Sequence, residues 1–149
     1  VNEEAEVFTN PFDSIRVAPV ICYESVFGSY VNEYILKGAH LIFVITNDGW
    51  WGDSPGHKQH YSFSKLRAIE TRRSVARSAN TGISSFINQR GEDFQETPYW
   101  VEDVRRQKIN ANNYLTVYVR YGDYIARVSA YIAALLLLIS FSRRLSRKG

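Results

Sequence analysis

The sequence predicts an α/β fold that ends in one carboxy-terminal transmembrane helix. Three observations predict it. An apolar run, Ile15–Ile21, is followed by a stretch of helical period and then by a second apolar run, His40–Thr46, within the span of one βαβ unit. A long uncharged stretch, 128–142, lies just ahead of a basic tail. The composition is that of a folded domain, with 45% hydrophobic, 22% charged and 14% aromatic residues.

The same figures exclude several classes. Nine glycines and four prolines among 149 residues rule out a collagen-like or linker protein. A single cysteine rules out an intrachain disulfide framework. The net charge of +3 is local: Arg143, Arg144, Arg147 and Lys148 supply four of 18 basic residues, and the other 14 meet 15 acidic ones, leaving −1 elsewhere. That is a basic tail rather than a nucleic-acid face, so no nucleic-acid partner is expected. The chain opens on Val1-Asn2-Glu3-Glu4 and contains no methionine, as expected of a piece of a longer or processed protein.

Taken in order, Ile15–Ile21 reads as a strand, with Pro19 marking an edge or bulge. Phe27, Tyr30, Val31, Tyr34 and Ile35 then fall on one helix face, with Ser25 placed to cap the start and Gly38 to stop it. His40–Thr46 reads as a strand buried on both faces of a parallel sheet. Residues 47–57 are loop-like. A second helix is expected from Lys58 to Arg77, with Phe63, Leu66, Ile69 and Ala76 toward one side. A hairpin over 82–97 should turn at Asn88–Gly91, and Tyr114–Val119 reads as a further strand. Two regions follow: 1–120 as a catalytic-type domain and 121–149 as membrane helix and tail.

The terminal helix, extended back to Tyr124, covers 19 residues to position 142. At ~1.5 Å per residue that is about 28 Å, close to the roughly 30 Å hydrocarbon thickness. Arg127 lies near the end, where its side chain can snorkel, and Tyr121, Tyr124 and Tyr131 supply aromatic anchors. A buried core helix is the alternative. The basic cluster places the carboxy terminus in the cytoplasm and the preceding domain outside.

The βαβ reading sets Cys22 just past one strand and Asn47-Asp48 just past the next, on the rim where open α/β sheets bind ligands. A thiol at a helix amino terminus is activated by the dipole, and backbone N–H groups there can hold an oxyanion. A buried, inert cysteine is the competing reading.

Four segments add to this. They are Val20-Ile21-Cys22-Tyr23-Glu24-Ser25, Thr46-Asn47-Asp48-Gly49-Trp50-Trp51-Gly52, Arg67-Ala68-Ile69-Glu70 and Ala76-Arg77-Ser78-Ala79-Asn80-Thr81-Gly82. Together they resemble the nitrilase (carbon–nitrogen hydrolase) superfamily, and most of all its branch that N-acylates bacterial lipoproteins. The resemblance implies part of a nitrilase-type αββα sandwich beside membrane helices, and a Glu–Lys–Cys triad without cofactor or metal. On that pattern Cys22 is the nucleophile, and Tyr23 and Glu24 are the two following site positions. Asn47, Asp48, Trp50 and Trp51 would contact substrate; packing over the sheet rim is the other reading of the tryptophans. Glu24 either orders the site or pairs with Arg77, or else serves as a carboxylate facing the dipole at a helix start.

The family's glutamate and lysine precede its cysteine. Only 21 residues precede Cys22 here; Glu3, Glu4 and Glu6 do not resemble the family segment, and the first lysine is Lys37. Both groups are therefore expected upstream, and the chain alone is expected to be inactive. The implied partners are a phospholipid acyl donor, a diacylglyceryl-modified lipoprotein and the bacterial inner membrane. A soluble-type amidase with the same nucleophile, or a non-catalytic membrane-tethered module, are the alternatives. His57 and His60 with Asp53 do not form a convincing metal set, and Lys65, Arg67, Arg72, Arg73 and Arg77 read as a solvated helix face.

Overall fold

In the computed structural model, which describes residues 5–146, six strands form one mixed sheet in chain order. They are β1 (Phe8–Thr9), β2 (Arg16–Ile21), β3 (Leu41–Thr46), β4 (Ser74–Ala79), β5 (Ser85–Ile87) and β6 (Asp93–Phe94). The three central strands run parallel and the outer pairings are antiparallel. A 3₁₀ turn over Cys22–Val26 leads from β2 into α1 (Gly28–Leu36), and α2 (Gly56–Thr71) joins β3 to β4. A short helix, α3 (Val117–Tyr121), and the long α4 (Tyr124–Ser146) complete the described chain.

The core is laid down in rows. Ala18, Ile42, Val75 and Ile87 stand side by side across four strands, and all are fully buried. Val31, Tyr34 and Ile35 of α1 join the same apolar cluster from the helical layer. The opposite sheet face is only partly covered: segment 103–110 runs along one side of it, where Ser74 Oγ donates to Asn110 O, but Phe43 is 39% and Ile45 54% exposed, and Phe8, Ile21 and Phe94 are exposed beside them. β3 is therefore buried on one face, not on both as its unbroken apolar run predicts. Pro19 is tolerated because β1 reaches only Arg16 and Val17. The Ile21 N–H leaves the ladder for the Glu24 carboxylate, and Pro19 has the same strand parity, so its missing donor costs no ladder bond.

Three further expectations are corrected. The second helix ends at Thr71, not Arg77: Arg72 takes a left-handed φ of 53°, and 74–79 pairs with β3 instead, since the parallel sheet gains a full strand there. Its buried face is polar (His57, His60, Tyr61, Ser64, Arg67 and Thr71) while Leu66 and Ile69 point outward. The basic run is likewise not solvated, because Arg67, Arg73 and Arg77 are all buried. Residues 117–121 are helical rather than extended, with the Thr116 hydroxyl capping the Val119 N–H at 3.1 Å.

The segment ahead of α3 is stapled down. Buried Arg73 donates to the carbonyls of Ala39, Thr71 and Tyr114, and burial lowers its pKa to about 10. Thr116 donates to Glu70 O at 2.6 Å. From Tyr124 to Arg144, α4 is long and apolar enough to cross a membrane, and none of it is buried against the domain. That favours a membrane anchor over a core helix. The Arg127 guanidinium turns back to the Tyr121 carbonyl, the direction a snorkelling side chain takes. Arg147 and Lys148 of the basic tail lie outside the described residues.

The one-sided core makes neighbouring positions unequal. Ile42→Ala should cost about 2–5 kcal/mol, whereas Phe43→Ala, on the open face, should cost markedly less. Urea melts of the two variants check this, and equal losses would mean that the outer face is covered.

Candidate functional site

β2 ends at Ile21 and the chain turns at once. Cys22 has a left-handed φ of 51°, a conformation costly for a residue with a Cβ. The surroundings hold it there. Ser25 Oγ donates to Cys22 O at 2.9 Å. Glu24 Oε2 accepts the Ile21 N–H at 2.7 Å, and Oε1 accepts from Tyr30 Oη, which meets Tyr34 Oη at 3.1 Å. Burial pushes the Tyr34 phenol above its ordinary range, helped by the Tyr30 hydroxyl. Glu24 thus locks the turn and does not pair with Arg77. Ser25 lies inside the 3₁₀ turn and does not cap α1, which begins only at Gly28. The turn is too short to lend Cys22 a helix macrodipole, so that source of thiolate stabilisation is absent.

The second cluster rises from the end of β3. Asp48 is fully buried: Oδ2 accepts from Arg77 Nη2 at 2.6 Å, and Oδ1 lies 2.8 Å from His60 Nδ1 and 3.0 Å from Thr46 Oγ1. Burial alone would raise its carboxyl; the His60 hydrogen bond and the Arg77 charge outweigh it and hold the group below its usual range. Burial lowers Arg77 in turn, against the pull of Asp48. Arg77 stands in the sheet row with Val20, Val44 and Ser85, and also donates to Ser64 Oγ and Ile83 O. The two clusters touch. Thr46 Oγ1 lies 3.3 Å from Cys22 Sγ, and His60 Nε2 lies 3.3 Å from Cys22 O and 3.2 Å from Ser25 Oγ.

The sequence-derived residues therefore separate into two levels. Cys22, half-buried, and exposed Tyr23 are at the rim, with the Tyr23 ring tilted against His60 and edge-on to Phe27. Asn47 is exposed and ties two loops, its Oδ1 accepting the Gly49 N–H and the Thr81 hydroxyl. Trp50 is 81% exposed, whereas Trp51 packs on Gly56, where a Cβ would lie 2.4 Å from its ring. Asp48 is below, out of reach of solvent. Gly82 is pressed onto its carboxylate, where a Cβ would lie 2.3 Å from Oδ2. The two histidines have unrelated roles: His60 meets Asp48, while His57 stacks on Tyr99 at 4.0 Å, and Tyr99 Oη holds Gly52 O. Among the described residues no group of His, Cys, Asp or Glu has the geometry for a metal. A groove of about 400 Å³ runs beside the turn, lined by Glu6, Phe8, Pro19, Ile21, Glu24, Tyr30 and Tyr34.

Ser64 is a site-supporting residue that pattern reading misses, and although Ser25, Thr46 and Arg77 fall inside the segments that carry the resemblance, their supporting contacts to Cys22 and Asp48 are not visible in the pattern. The one visible signal is the polar stripe His57, His60, Tyr61, Ser64, Arg67 at helical spacing, which looks solvent-facing until α2 is docked.

Residues 3–115 match the family model of the carbon–nitrogen hydrolases. Over 130 residues the chain is 38% identical to the apolipoprotein N-acyltransferase of Chlorobaculum tepidum, covering 87% of this chain and 24% of that protein. With the same enzyme of Geobacter metallireducens it shares 35% over 129 residues (87% and 25%), and with that of Thermotoga maritima 33% over 140 residues (94% and 28%). The chain thus spans about a quarter of the length of these relatives. Among solved structures, an amidase from a Nesterenkonia species superposes with a TM-score of 0.55 at 18% identity, over 66% of this chain and 39% of that one. A Saccharomyces cerevisiae member of branch 10 of the nitrilase superfamily reaches 0.57 at 16% identity, over 67% and 39%. These two share the fold.

Breaking the buried ion pair with Asp48→Asn should cost about 3–5 kcal/mol. Asp48 is depressed in the fold, so its contribution is complete above the unfolded value near pH 4 and is lost as pH falls through the folded value. Wild-type stability should thus decline in that acid range, and Asp48→Asn should decline less. Chemical denaturation at pH 7, 4 and 3 checks this; parallel acid slopes would remove Asp48 as the group responsible.

Proposed function

The chain belongs to the carbon–nitrogen hydrolase family, and from that premise we propose that it carries the nucleophile of a membrane-bound N-acyltransferase. The substrates are a phospholipid acyl donor and the amino-terminal diacylglyceryl-cysteine of a lipoprotein. The observation that carries this reading is Cys22, half-buried in a left-handed turn at the carboxyl end of a central strand, in a chain that also presents the unburied apolar helix α4. The names of the similar proteins support the same reaction. The bare lipid-compatible helix favours a lipid substrate over a small soluble amide, because an amidase of the latter has no use for an anchor.

In the proposed chemistry the Cys22 thiolate attacks the donor's ester carbonyl. The C–O bond breaks, the lysophospholipid oxygen takes a proton, and an acyl thioester remains on Sγ. The free amine of the diacylglyceryl-cysteine then attacks the thioester, the general base takes the proton that the amine gives up, an amide forms, and the thiolate leaves. The family resemblance assigns the base and the oxyanion partner to a glutamate and a lysine other than the residues around this turn. Glu24 keeps the turn in shape, Tyr23 borders the sulfur, and Asn47, Trp50 and Trp51 form the rim that meets substrate, with Trp50 at the lipid interface. Asp48 serves the rim from beneath. The open part of the outer sheet face is where the second sheet of the αββα sandwich packs. Region 1–120 is the catalytic part and 121–149 the anchor and tail.

The basic tail orients this anchor in the bacterial inner membrane, with its carboxy terminus cytoplasmic and Cys22 on the outer side.

Two measurements test the proposal. In the intact enzyme, Cys22→Ala should abolish both the acyl-thioester and triacylated product by mass spectrometry; an acylated intermediate persisting in that variant would refute the assignment. For orientation, Gly149→Cys in a Cys22→Ser background should resist an impermeant thiol reagent in intact cells, and ready labelling would reverse the topology.

A further inference from the structure

We propose that Thr46 is a positioning residue for Cys22: its hydroxyl is the hydrogen-bond link through which the buried Asp48–His60–Arg77 cluster favours the thiolate. This rests on the reading of Cys22 as the nucleophile.

The argument starts from a shortage of hydrogens. Thr46 Oγ1 lies 3.3 Å from Cys22 Sγ and 3.0 Å from Asp48 Oδ1, yet a hydroxyl carries one hydrogen. While Cys22 is a thiol, all groups are satisfied in one direction: S–H donates to Oγ1, and Oγ1–H donates to Asp48. When the thiol gives its proton to a buffer base, the sulfur becomes an acceptor, and Oγ1–H swings to it by rotation about the Cβ–Oγ bond. No further proton is transferred.

That swing would be costly if it stripped a buried carboxylate of its donors. Here it does not. Arg77 Nη2 stays on Oδ2 at 2.6 Å. The carboxylate is ionised and accepts only, so His60 Nδ1, at 2.8 Å, is the donor on Oδ1. Asp48 therefore has two charge-assisted or strong partners without Thr46, and the threonine hydrogen is the one it can spare. The same cluster aims the sulfur, since His60 Nε2 borders Cys22 O and Ser25 Oγ under the strained turn. The charged groups around the sulfur are Arg77, whose charge reaches Cys22, Asp48 beneath and Glu24 on the turn itself, with the titratable His60 ring beside Asp48. With no helix macrodipole at this turn, Thr46 is the hydrogen-bond donor that the thiolate has from the sheet side.

Cys22 is the chain's only thiol, so iodoacetamide alkylation of the full chain in detergent reads it alone. Thr46→Val should move the midpoint of the pH–rate profile up by about one unit and slow alkylation near neutral pH about tenfold. Thr46→Ser, which keeps the hydroxyl, should restore the wild-type midpoint. Superimposable profiles for Val and wild type would overturn the proposal. Should the Val variant fail to fold by circular dichroism, the wild-type S–H infrared stretch decides. A band lowered by hydrogen bonding supports the link, and a band at the position of a free thiol overturns it. Neither readout involves lipid. A shifted midpoint without acyl transfer by the intact enzyme would support the Thr46 link and sink the transferase reading, whereas a flat profile with active transfer would do the reverse.

Discussion

The contact on which the other features depend is the buried pair of Asp48 and Arg77. An isolated carboxylate or guanidinium in this core would be expelled by its desolvation cost. Paired at 2.6 Å and completed by His60, Thr46, Ser64 and the Ile83 carbonyl, they instead join the end of β3, the body of β4 and the inner face of α2. This explains why α2 buries its polar side, contrary to the usual amphipathic rule. The helix brings the partners that the sheet's buried charges require. Removing either charge leaves the other buried without its partner, so Asp48 and Arg77 depend on each other more than on the neutral groups around them.

The turn at Cys22 depends on this base. A left-handed non-glycine residue persists only where its surroundings over-determine it. Glu24 secures the turn from the β2 side, and His60 with Ser25 secures its carbonyl from the helix side. The nucleophile candidate is thus held by side chains anchored in separate parts of the chain, rather than by the dipole of a long helix.

These dependencies also explain what the sequence makes legible. β2, α1 and β3 are readable because an apolar run and a 3.6-residue period are local signals, and Cys22-Tyr23-Glu24 with Asn47-Asp48-Gly49 mark the rim directly. The pairing of Arg77 with Asp48 is not readable, because a lone arginine in Ser-Val-Ala-Arg-Ser-Ala looks like a solvated position until the sheet row and α2 are in place. The end of α2 at Thr71 is hidden for a similar reason: Arg72 and Arg73 are tolerable helix formers, and only pairing with β3 makes 74–79 extended. The 117–121 segment is β-rich in composition but finds no strand to pair with, and Thr116 caps a helical turn instead. Gly82 makes sense only against the Asp48 carboxylate it lies on.

The root of α4 has a mechanical consequence. Arg73, Thr116 and the core side chain Val119 fasten the chain to the same layer that supports the site, and only Gly122 and Asp123 separate α3 from α4. Two residues span at most about 7 Å. In the proposed membrane-bound enzyme, so short a joint would let the domain rock but not drift, and its height above the bilayer would be set by a strut rather than by a tether. On that proposal a candidate thiol mounted in this way would sample a thin slab next to the lipid surface. There, encounter would be governed by a high effective concentration and by lateral diffusion, not by search through bulk solvent.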